Sequence, residues 1–177
     1  QWTATAAGCC ILGAQSEGPY ITHATRGQIV DMGVTDMTNM GAAMAPAAAA
    51  TLLHYLADTH AELRDFDCIY TGDLGLVGSQ MLRELLAAEG LLLKNHADCG
   101  CLLYDAGEQR VKSGGSGAGC CAAVLCGHIL PKLLRRGSRR VLFLATGALM
   151  SQTTFLQKES IPAVAHLVEL TAPEKEN

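Results

Sequence analysis

Two glycine-rich segments have the residue types best suited to bind a small ligand. Residues 72–75 (GDLG) follow a predicted strand and precede a predicted helix, and residues 113–119 (SGGSGAG) open another predicted helix. Such segments expose backbone N–H groups, and a helix N-terminus carries about half a positive charge. Both segments therefore favour binding of a carboxylate or phosphate. Ser116 either caps its helix or donates its hydroxyl to the ligand.

The same glycines also have a purely structural interpretation, because they permit tight turns and close helix packing. Two such segments in front of neighbouring helices leave the two interpretations nearly balanced. Nucleotide binding is not favoured. No Gly-Lys-Ser/Thr follows residues 113–119, as a P-loop requires, and no strand directly precedes them, as a dinucleotide-binding fingerprint requires.

Candidate acids and bases are few. Asp73 and Asp98 lie in predicted loops near the presumed ligand site, although Asp73 is equally suited to cap a helix. His96 is either a base or an ordinary loop histidine. The sequence has no Gly-x-Ser-x-Gly elbow and no cysteine with a recognisable activating base. The histidines within predicted helices and strands are interpreted as structural: His54, His128 and His166.

The positions of the eight cysteines do not suggest a disulfide framework. Cys9-Cys10 and Cys120-Cys121 are adjacent pairs in apolar surroundings, so most cysteines are expected to be reduced, buried and packed as small apolar side chains. His96-x-x-Cys99-x-Cys101 is the one metal candidate. It lacks a second pair of ligands at a plausible distance, so no bound metal is expected.

The hydrophobic pattern predicts strands at residues 2–12, 20–30, 66–71, 139–145 and 163–170. Helices are expected around Pro46, which fits the first turn of a helix, over residues 76–89, and from residues 113–119 to about residue 136. Residues 95–110 are predicted to be irregular. Helices placed between strands imply an α/β domain with a mixed sheet and helices on its faces.

Two of the predicted helices have a recognisable buried face at helical spacing. The first buries Ala49, Leu52, Leu53 and Leu56. The second buries Val77, Met81, Leu82, Leu85 and Leu86, and Gly90 ends it.

Composition restricts the class of protein. The chain has 177 residues with no evident linker, which predicts one domain. Thirteen basic against seventeen acidic residues argue against a nucleic-acid partner. We find no signal peptide and no uninterrupted apolar run of about 18 residues, so a soluble protein with at most peripheral membrane association is expected. The absence of an initial Met predicts a fragment or a processed product.

A cluster of basic residues lies at the C-terminal end of the third predicted helix, where cations complement the helix dipole. A solvated helix end is the first interpretation, and weak attraction to an anionic membrane surface or partner is the alternative. The cluster consists of Lys132, Arg135, Arg136, Arg139 and Arg140.

Five segments resemble the stage V sporulation protein AD family. In chain order they are residues 39–48 (NMGAAMAPAA), 70–78 (YTGDLGLVG), 98–100 (DCG), 114–120 (GGSGAGC) and 145–151 (ATGALMS). The resemblance covers the chain to about Leu170. It implies that residues 1–172 form the C-terminal thiolase-like domain of such a protein, followed by a charged tail at residues 173–177.

The family is similar to thiolases and β-ketoacyl-carrier-protein synthases, whose halves share a five-stranded α/β core. The implied fold is one such half: an α/β domain with a five-stranded mixed sheet flanked by helices. Those synthases place a catalytic His and Asn where this chain has Gly72-Asp73 and Gly115-Ser116. A binding protein without catalysis is therefore expected. The alternative is a condensing or thiolytic enzyme whose nucleophile lies in an absent N-terminal half.

The resemblance also implies a ligand, dipicolinic acid, bound with or without calcium for uptake into the developing spore and release at germination. Dipicolinic acid is a planar pyridine with two carboxylates, which suits glycine-lined helix N-termini. No cofactor is expected beyond calcium carried as an ion bound to the ligand. The residues expected at the ligand site are Gly72, Asp73, Leu74, Gly75, Gly114, Gly115, Ser116, Gly117, Asp98, Cys99 and Asn39.

Further partners implied by the resemblance are membrane proteins of the same sporulation operon and the N-terminal half. The implied location is intracellular and peripheral to the spore inner membrane. A purely structural partner of a membrane channel is a further alternative. The oligomeric state is open, with a homodimer as one alternative.

Overall fold

The computed structural model describes residues 1–14 and 18–173. Most of the predicted charged tail, residues 174–177, lies outside the described residues. In chain order the strands are β1 (Trp2–Thr3), β2 (Tyr20–Thr25), β3 (Cys68–Thr71), β4 (His96–Asp98), β5 (Gly115–Ser116), β6 (Arg140–Ala148) and β7 (Ala163–Thr171). The helices are α1 (Met40–Thr59), α2 (Gly75–Ala88), α3 (Cys99–Leu103), α4 (Cys120–Leu134) and α5 (Gln152–Leu156).

Five strands form one mixed sheet in the order β2-β7-β6-β3-β4. β2 and β6 are antiparallel to β7, whereas β3 is parallel to both β6 and β4. The short strands β1 and β5 pair in parallel as a separate two-stranded ribbon. The expected five-stranded mixed sheet with flanking helices is confirmed.

The two faces of the sheet carry separate apolar clusters, because successive residues of a strand point to opposite faces. In β6, Leu142 joins the cluster containing α1 and α2, whereas Val141 joins the cluster containing α4. In β3, Ile69 joins the cluster containing α1 and α2, and Tyr70 joins the cluster containing α4. The sheet is therefore covered by helices on both sides, with the ends of β3 and β6 adjacent.

α1 is the central core helix and begins earlier than expected. It starts at Met40, so Pro46 lies inside the helix rather than in its first turn. Of its predicted buried face, Ala49, Leu52 and Leu56 are buried. A Cβ on Gly41 would lie 2.0 Å from the Leu74 carbonyl oxygen, so the glycine lets α1 approach the turn before α2.

Within the described part of the chain, α1 is also the one helix long and apolar enough to cross a membrane by length and composition. Its most apolar window has a mean hydropathy of 1.2, and 56% of that window is buried inside the protein. Burial against the sheet and α2 is the usual state of the core helix of a globular domain. The apolar character of α1 is thus accounted for by packing.

Several predicted boundaries are wrong. Only Trp2–Thr3 of the predicted strand at residues 2–12 is a strand, because its partner β5 has two residues. The second strand ends at Thr25, and Val30 makes an isolated bridge. The predicted irregular stretch at residues 95–110 contains β4 and α3. β4 is a three-residue edge strand, too short to produce a recognisable alternation.

The other helices show how tertiary packing selects faces. α2 occupies Gly75–Ala88, as expected to within one residue. Leu82 and Leu86 are buried, but Val77 and Leu85 are 44% and 37% exposed, contrary to prediction. α4 begins at Cys120 and contains one π-helical turn at Leu125–Ile129. Its predicted C-terminal end is confirmed to within two residues.

An ion pair between the partly exposed Arg140 and the buried Glu169 joins β6 to β7. The Arg140 Nε donates to Glu169 Oε1 at 2.5 Å, the Tyr55 hydroxyl donates to Glu169 Oε2, and His23 Nδ1 lies 2.9 Å from that oxygen. Glu169 is 2% exposed. Burial opposes ionisation, but the hydrogen bonds from Arg140 and Tyr55 outweigh it and lower the pKa of Glu169 to about 2. Arg140 of the predicted basic cluster is thus structural.

Glu169 is expected to make the protein sensitive to acid. Because its pKa is lower in the folded protein than the ordinary 4.5, its stabilising contribution is complete above pH 4.5 and is lost as the pH falls towards 2. The Arg140 side chain is 35% exposed, so water screens the pair and the contribution is expected to be about 1–2 kcal/mol rather than the roughly 3 kcal/mol of the full shift. Urea unfolding between pH 7 and pH 2.5 should show that Glu169→Gln is less stable than wild type at pH 7 and that the difference shrinks in acid. Glu62→Gln, at an exposed pair with Arg64, should show little difference at any pH.

Candidate functional site

The first glycine turn is held by a buried carboxylate. Asp98 Oδ2 accepts the Leu74 N–H at 2.8 Å, and Asp98 Oδ1 accepts the Gly75 N–H at 2.9 Å and the Cys101 N–H at 3.2 Å. The Thr71 hydroxyl donates to Oδ2 at 2.7 Å. Asp98 is 3% exposed, and burial raises the pKa of its carboxyl although these four bonds oppose the shift. The Leu74 and Gly75 N–H groups at the start of α2 are therefore already bound within the protein.

The two glycine segments touch each other directly. The Leu76 N–H donates to the Ser113 carbonyl oxygen at 3.1 Å. Gly75 has a φ of +65°, and a Cβ there would lie 2.2 Å from the same oxygen. The left-handed backbone and the close approach both require glycine at this position. The turn before α2 and the loop before α4 thus form one continuous structure.

Asp73 joins this structure to the end of β6. Its Oδ2 accepts the Gly117 N–H at 3.1 Å, and its Oδ1 accepts the Thr146 hydroxyl at 2.9 Å. The Asp73 N–H in turn donates to Thr146 Oγ1 at 3.0 Å. Three loops that are distant in sequence therefore meet at one carboxylate, at the carboxyl ends of the parallel strands β3 and β6, where α/β sheets commonly bind ligands.

A cavity of about 300 Å³, called here the glycine pocket, opens beside Asp73. Of the predicted site residues, Asp73, Ser116 and Gly117 line it. Among the described residues, nothing accepts a hydrogen bond from the Ala118 N–H or the Ser116 hydroxyl. The lining residues that sequence reasoning missed are Met40, Met44, Ala118, Cys121, Thr146, Gly147 and Ala148.

The missed residues had a partial signal in the sequence. Thr146, Gly147 and Ala148 belong to the segment 145–151, which follows a predicted strand. Ligand sites favour such positions, so the segment could have been included. Met40 and Met44 lie in the segment 39–48 that resembles the family, but residue type and spacing gave no reason to place a methionine side chain at the site. Their presence adds apolar side chains to the lining of the pocket.

The remaining predicted site residues do not line the glycine pocket. Leu74 and Cys99 have 0% exposure, so neither has surface available to a ligand. Gly115 is buried and pairs with Trp2, and Gly114 accepts the Trp2 N–H. Gly72 is buried against Thr146 and supports the pocket from behind. The structure thus separates supporting residues from those that face the cavity.

Asn39 lies in a second cavity of about 440 Å³, called here the basic cleft. It is lined by Gln1, Trp2, Thr38, Asn39, Val77, Arg110, Val111, Lys112 and Ser113. The Gln1 Nε2 donates to the Asp73 carbonyl oxygen at 2.7 Å, so a residue that lines the basic cleft contacts the backbone of a residue that lines the glycine pocket. Residues that were predicted to form one ligand site therefore line two different cavities.

Burial shifts the pKa values of the candidate nucleophile and the candidate base. Cys121 lines the glycine pocket, but burial and the nearby Asp73 raise the pKa of its thiol. His96 Nε2 lies 2.9 Å from the Thr71 hydroxyl, and its Nδ1 lies 3.3 Å from Arg83. Burial first, and then the Arg83 charge, lower the pKa of His96 to about 4. The histidine is thus neutral at pH 7.

The cysteines differ in how far they are buried. Cys99 and Cys120 are buried as predicted, whereas Cys9 and Cys10 are exposed, contrary to prediction. The cysteines are free thiols, and Cys10 Sγ lies 3.3 Å from Cys126 Sγ. Within residues 1–14 and 18–173, no group of three or more His, Cys, Asp or Glu side chains could hold a metal ion.

Comparison with known proteins identifies relatives of the chain. The family model for stage V sporulation protein AD matches residues 1–171. Stage V sporulation protein AD of Bacillus subtilis (strain 168) is 42% identical over 165 residues, which cover 93% of this chain and 48% of that protein. The chain therefore spans about half the length of this relative.

Proposed function

Because the chain belongs to the stage V sporulation protein AD family, we propose that it binds dipicolinic acid in the glycine pocket during spore formation. In this proposal the protein carries the acid for uptake into the developing spore and for release at germination. The observation that carries the proposal is a cavity at the ends of β3 and β6 whose Ala118 N–H and Ser116 hydroxyl are unoccupied by the described residues. Both groups donate hydrogen bonds that a carboxylate accepts.

The rest of the lining suits a planar ring. Met40 and Met44 supply flexible apolar surface that adapts to a flat ligand, and Gly147 leaves room for close approach. A volume of about 300 Å³ lies at the small end of the range for ligand pockets, as a single-ring acid requires. The pocket lining therefore combines hydrogen-bond donors with apolar side chains.

Asp73 favours a ligand that carries calcium. A bare dicarboxylate would be repelled by the Asp73 carboxylate across the pocket. Calcium takes six to eight oxygen ligands, including carboxylates and waters, and the chelated acid supplies only some of them. With calcium as part of the cargo, Asp73 would approach the metal while the ligand carboxylates face the Ala118 N–H and Ser116. Asp73 then distinguishes the calcium chelate from the free acid.

We also propose that this half does no catalysis. The positions that match the catalytic His and Asn of the synthases are Gly72-Asp73 and Gly115-Ser116. The raised pKa of Cys121 disfavours a thiolate nucleophile in the pocket. The competing proposal is an acyl-thioester enzyme with its nucleophile in the other half. Thioester turnover by the intact protein would support that enzyme and overturn the binding function.

The proposed partners follow the family. They are membrane proteins of the same sporulation operon, reached from a peripheral position at the spore inner membrane, and the remaining half of the longer protein. The acidic balance of the chain makes a nucleic-acid partner unfavourable. A homodimer is compatible with this arrangement. Co-purification of the intact protein with membranes of developing spores, and its loss in high salt, would test the peripheral location.

Calcium dependence tests the proposed function. Calorimetry should show that wild-type protein binds dipicolinate about tenfold or more tightly with calcium than without it, since an added oxygen ligand on calcium strengthens chelation. Asp73→Asn should abolish this gain and leave calcium-free binding equal or tighter, because the repelling charge is gone.

The matched control is Asp58→Asn, which removes an exposed carboxylate on α1 that makes no contact with the pocket. It should keep the full calcium effect. Thermal unfolding of Asp73→Asn must confirm that the three loops remain folded. No binding of dipicolinate by wild type at millimolar concentration, with or without calcium, would contradict the proposal.

A further inference from the structure

Residues 5–14, called here the N-terminal strap, pass beside α4 with few bonds to hold them. Just before the strap, the Trp2 N–H donates to the Gly114 carbonyl oxygen at 3.0 Å. The Ala4 N–H donates to the Ser116 carbonyl oxygen at 2.8 Å. Beyond Ala4, no backbone hydrogen bond joins the strap to another described residue. The attachment of the strap therefore depends on close packing and on side-chain contacts.

Two close approaches set the register of the strap on α4. A Cβ on Gly119, at the start of the helix, would lie 1.8 Å from the Ala6 carbonyl oxygen. A Cβ on Gly8 would lie 2.3 Å from the Ala122 carbonyl oxygen. Two residues of chain span at most about 7 Å, and one turn of α-helix rises about 5.4 Å. The strap therefore advances by about two residues for each turn of α4.

The same register places two thiols side by side. Cys10 Sγ lies 3.3 Å from Cys126 Sγ, and the Cys126 thiol donates to the Cys9 carbonyl oxygen at 3.7 Å. Cys126 belongs to the π-helical turn of α4, and such turns are frequent at functional sites. The two sulfurs of a disulfide lie about 2.05 Å apart, so Cys10 and Cys126 need to approach by only about 1 Å. Rotation of the side chains supplies such a movement.

The other thiols that could react are less available to an oxidant in solution. Burial raises the pKa of Cys101 and of Cys120 to about 12, so little of either is present as the reactive thiolate. The pKa of Cys10 is also raised, but mainly by its hydrogen bond with Cys126, and Cys10 is exposed. An oxidant therefore reaches Cys10 more readily than the buried cysteines.

We propose that Cys10 and Cys126 form a reversible disulfide that fastens the N-terminal strap to α4. The oxidant is a small-molecule disulfide. The Cys10 thiolate attacks one sulfur of the oxidant, which forms a mixed disulfide and releases the first small thiol. The Cys126 thiol then loses its proton and attacks the Cys10 sulfur, which forms the protein disulfide and releases the second small thiol. The two cysteines lose two electrons and two protons, and the oxidant gains them.

The bond should stabilise the folded chain. It joins residues 116 positions apart, so it restricts the unfolded chain strongly. The oxidised protein is expected to unfold at a temperature roughly 5 °C or more above that of the reduced protein. An excess of small thiol reverses both exchange steps, so the bond follows the thiol–disulfide balance of its surroundings.

Thiol counting and mass spectrometry test the bond in the full 177-residue chain. The reduced chain is incubated with glutathione disulfide at pH 8, and the remaining thiols are blocked and counted. Wild type should lose two of its eight thiols. The peptides that contain Cys10 and Cys126 should be joined, and dithiothreitol should separate them. Thermal unfolding before and after oxidation measures the stabilisation.

The matched control is C9S, because it removes the exposed thiol next to Cys10 and leaves the proposed pair intact. C9S should form the bond and show the thermal shift of wild type. C10S and C126S should show neither, and each should carry at most a mixed disulfide with glutathione at the remaining cysteine of the pair. The reduced variants are first checked for wild-type thermal unfolding.

A protein disulfide that is absent in wild type would overturn the proposal. A bond from Cys126 to Cys9, or a bond between two chains, would overturn the register of the strap. The same thermal shift in C10S as in wild type would show that the pair does not fasten the strap. These measurements use no dipicolinate, so their outcome is independent of the function proposed for the glycine pocket.

Discussion

Replacing Asp98 with alanine is expected to lower the free energy of unfolding by about 3–5 kcal/mol. The substitution removes the acceptor for the N–H groups of Leu74, Gly75 and Cys101 and for the Thr71 hydroxyl. Because Asp98 is 3% exposed, water does not readily replace it. Each buried donor left without an acceptor costs about 1–3 kcal/mol. Urea unfolding at pH 7 measures the loss.

Two further variants test whether the loss of stability comes from the Asp98 hydrogen bonds. Asp98→Asn keeps one oxygen acceptor, so its loss of stability should be intermediate. Asp105→Ala removes a carboxylate that accepts the Gly107 and Glu108 N–H groups at the surface, where water can take over, and should cost less than about 1 kcal/mol. Equal stability of Asp98→Ala and Asp105→Ala would show that the Asp98 bonds do not hold the glycine turn.

Ala118→Glu is expected to weaken calcium-free binding of dipicolinate by about tenfold to a hundredfold. Ala118 is exposed at the mouth of the glycine pocket, and its N–H is one of the two donors assigned to the ligand. A glutamate there places a second carboxylate beside Asp73 and repels an incoming dianion. Ala118→Gln introduces nearly the same volume without charge and should stay within about threefold of wild type.

Calorimetry of the two Ala118 variants with dipicolinate distinguishes charge from shape. An equal loss in both would mean that the side chain simply fills the pocket. No loss in Ala118→Glu would mean that dipicolinate does not bind there.

Much of the fold follows from local pattern. The apolar stretches in residues 139–145 and 163–170 predict two long strands of the sheet, which are nine residues each. The spacing of Leu82 and Leu86 predicts the buried side of α2. β1, β4 and β5 are two or three residues long, and such strands exist only because a partner lies beside them. No periodicity marks them in the sequence.

The site was less predictable than the fold. Sequence reasoning found Asp73, Ser116 and Gly117 because glycine turns and helix starts have a recognisable composition. It could not find that Asp98 already binds the first turn, because the two segments are more than twenty residues apart. Arg110 and Lys112 had no signal either, since isolated basic residues in an irregular stretch are usually solvated.

By itself, the sequence determined the α/β class, the family and the two glycine segments, because these depend on residue type and short-range spacing. Only the tertiary structure decided which backbone donors remain available and that the candidate site is two cavities. The reason is hydrogen bonding between distant segments. Asp98 accepts the Gly75 N–H in the first glycine segment, whereas no described residue accepts the Ala118 N–H in the second. Whether a backbone donor is available to a ligand depends on the contacts it makes within the protein. Contacts between residues that are distant in sequence cannot be inferred from short-range sequence patterns.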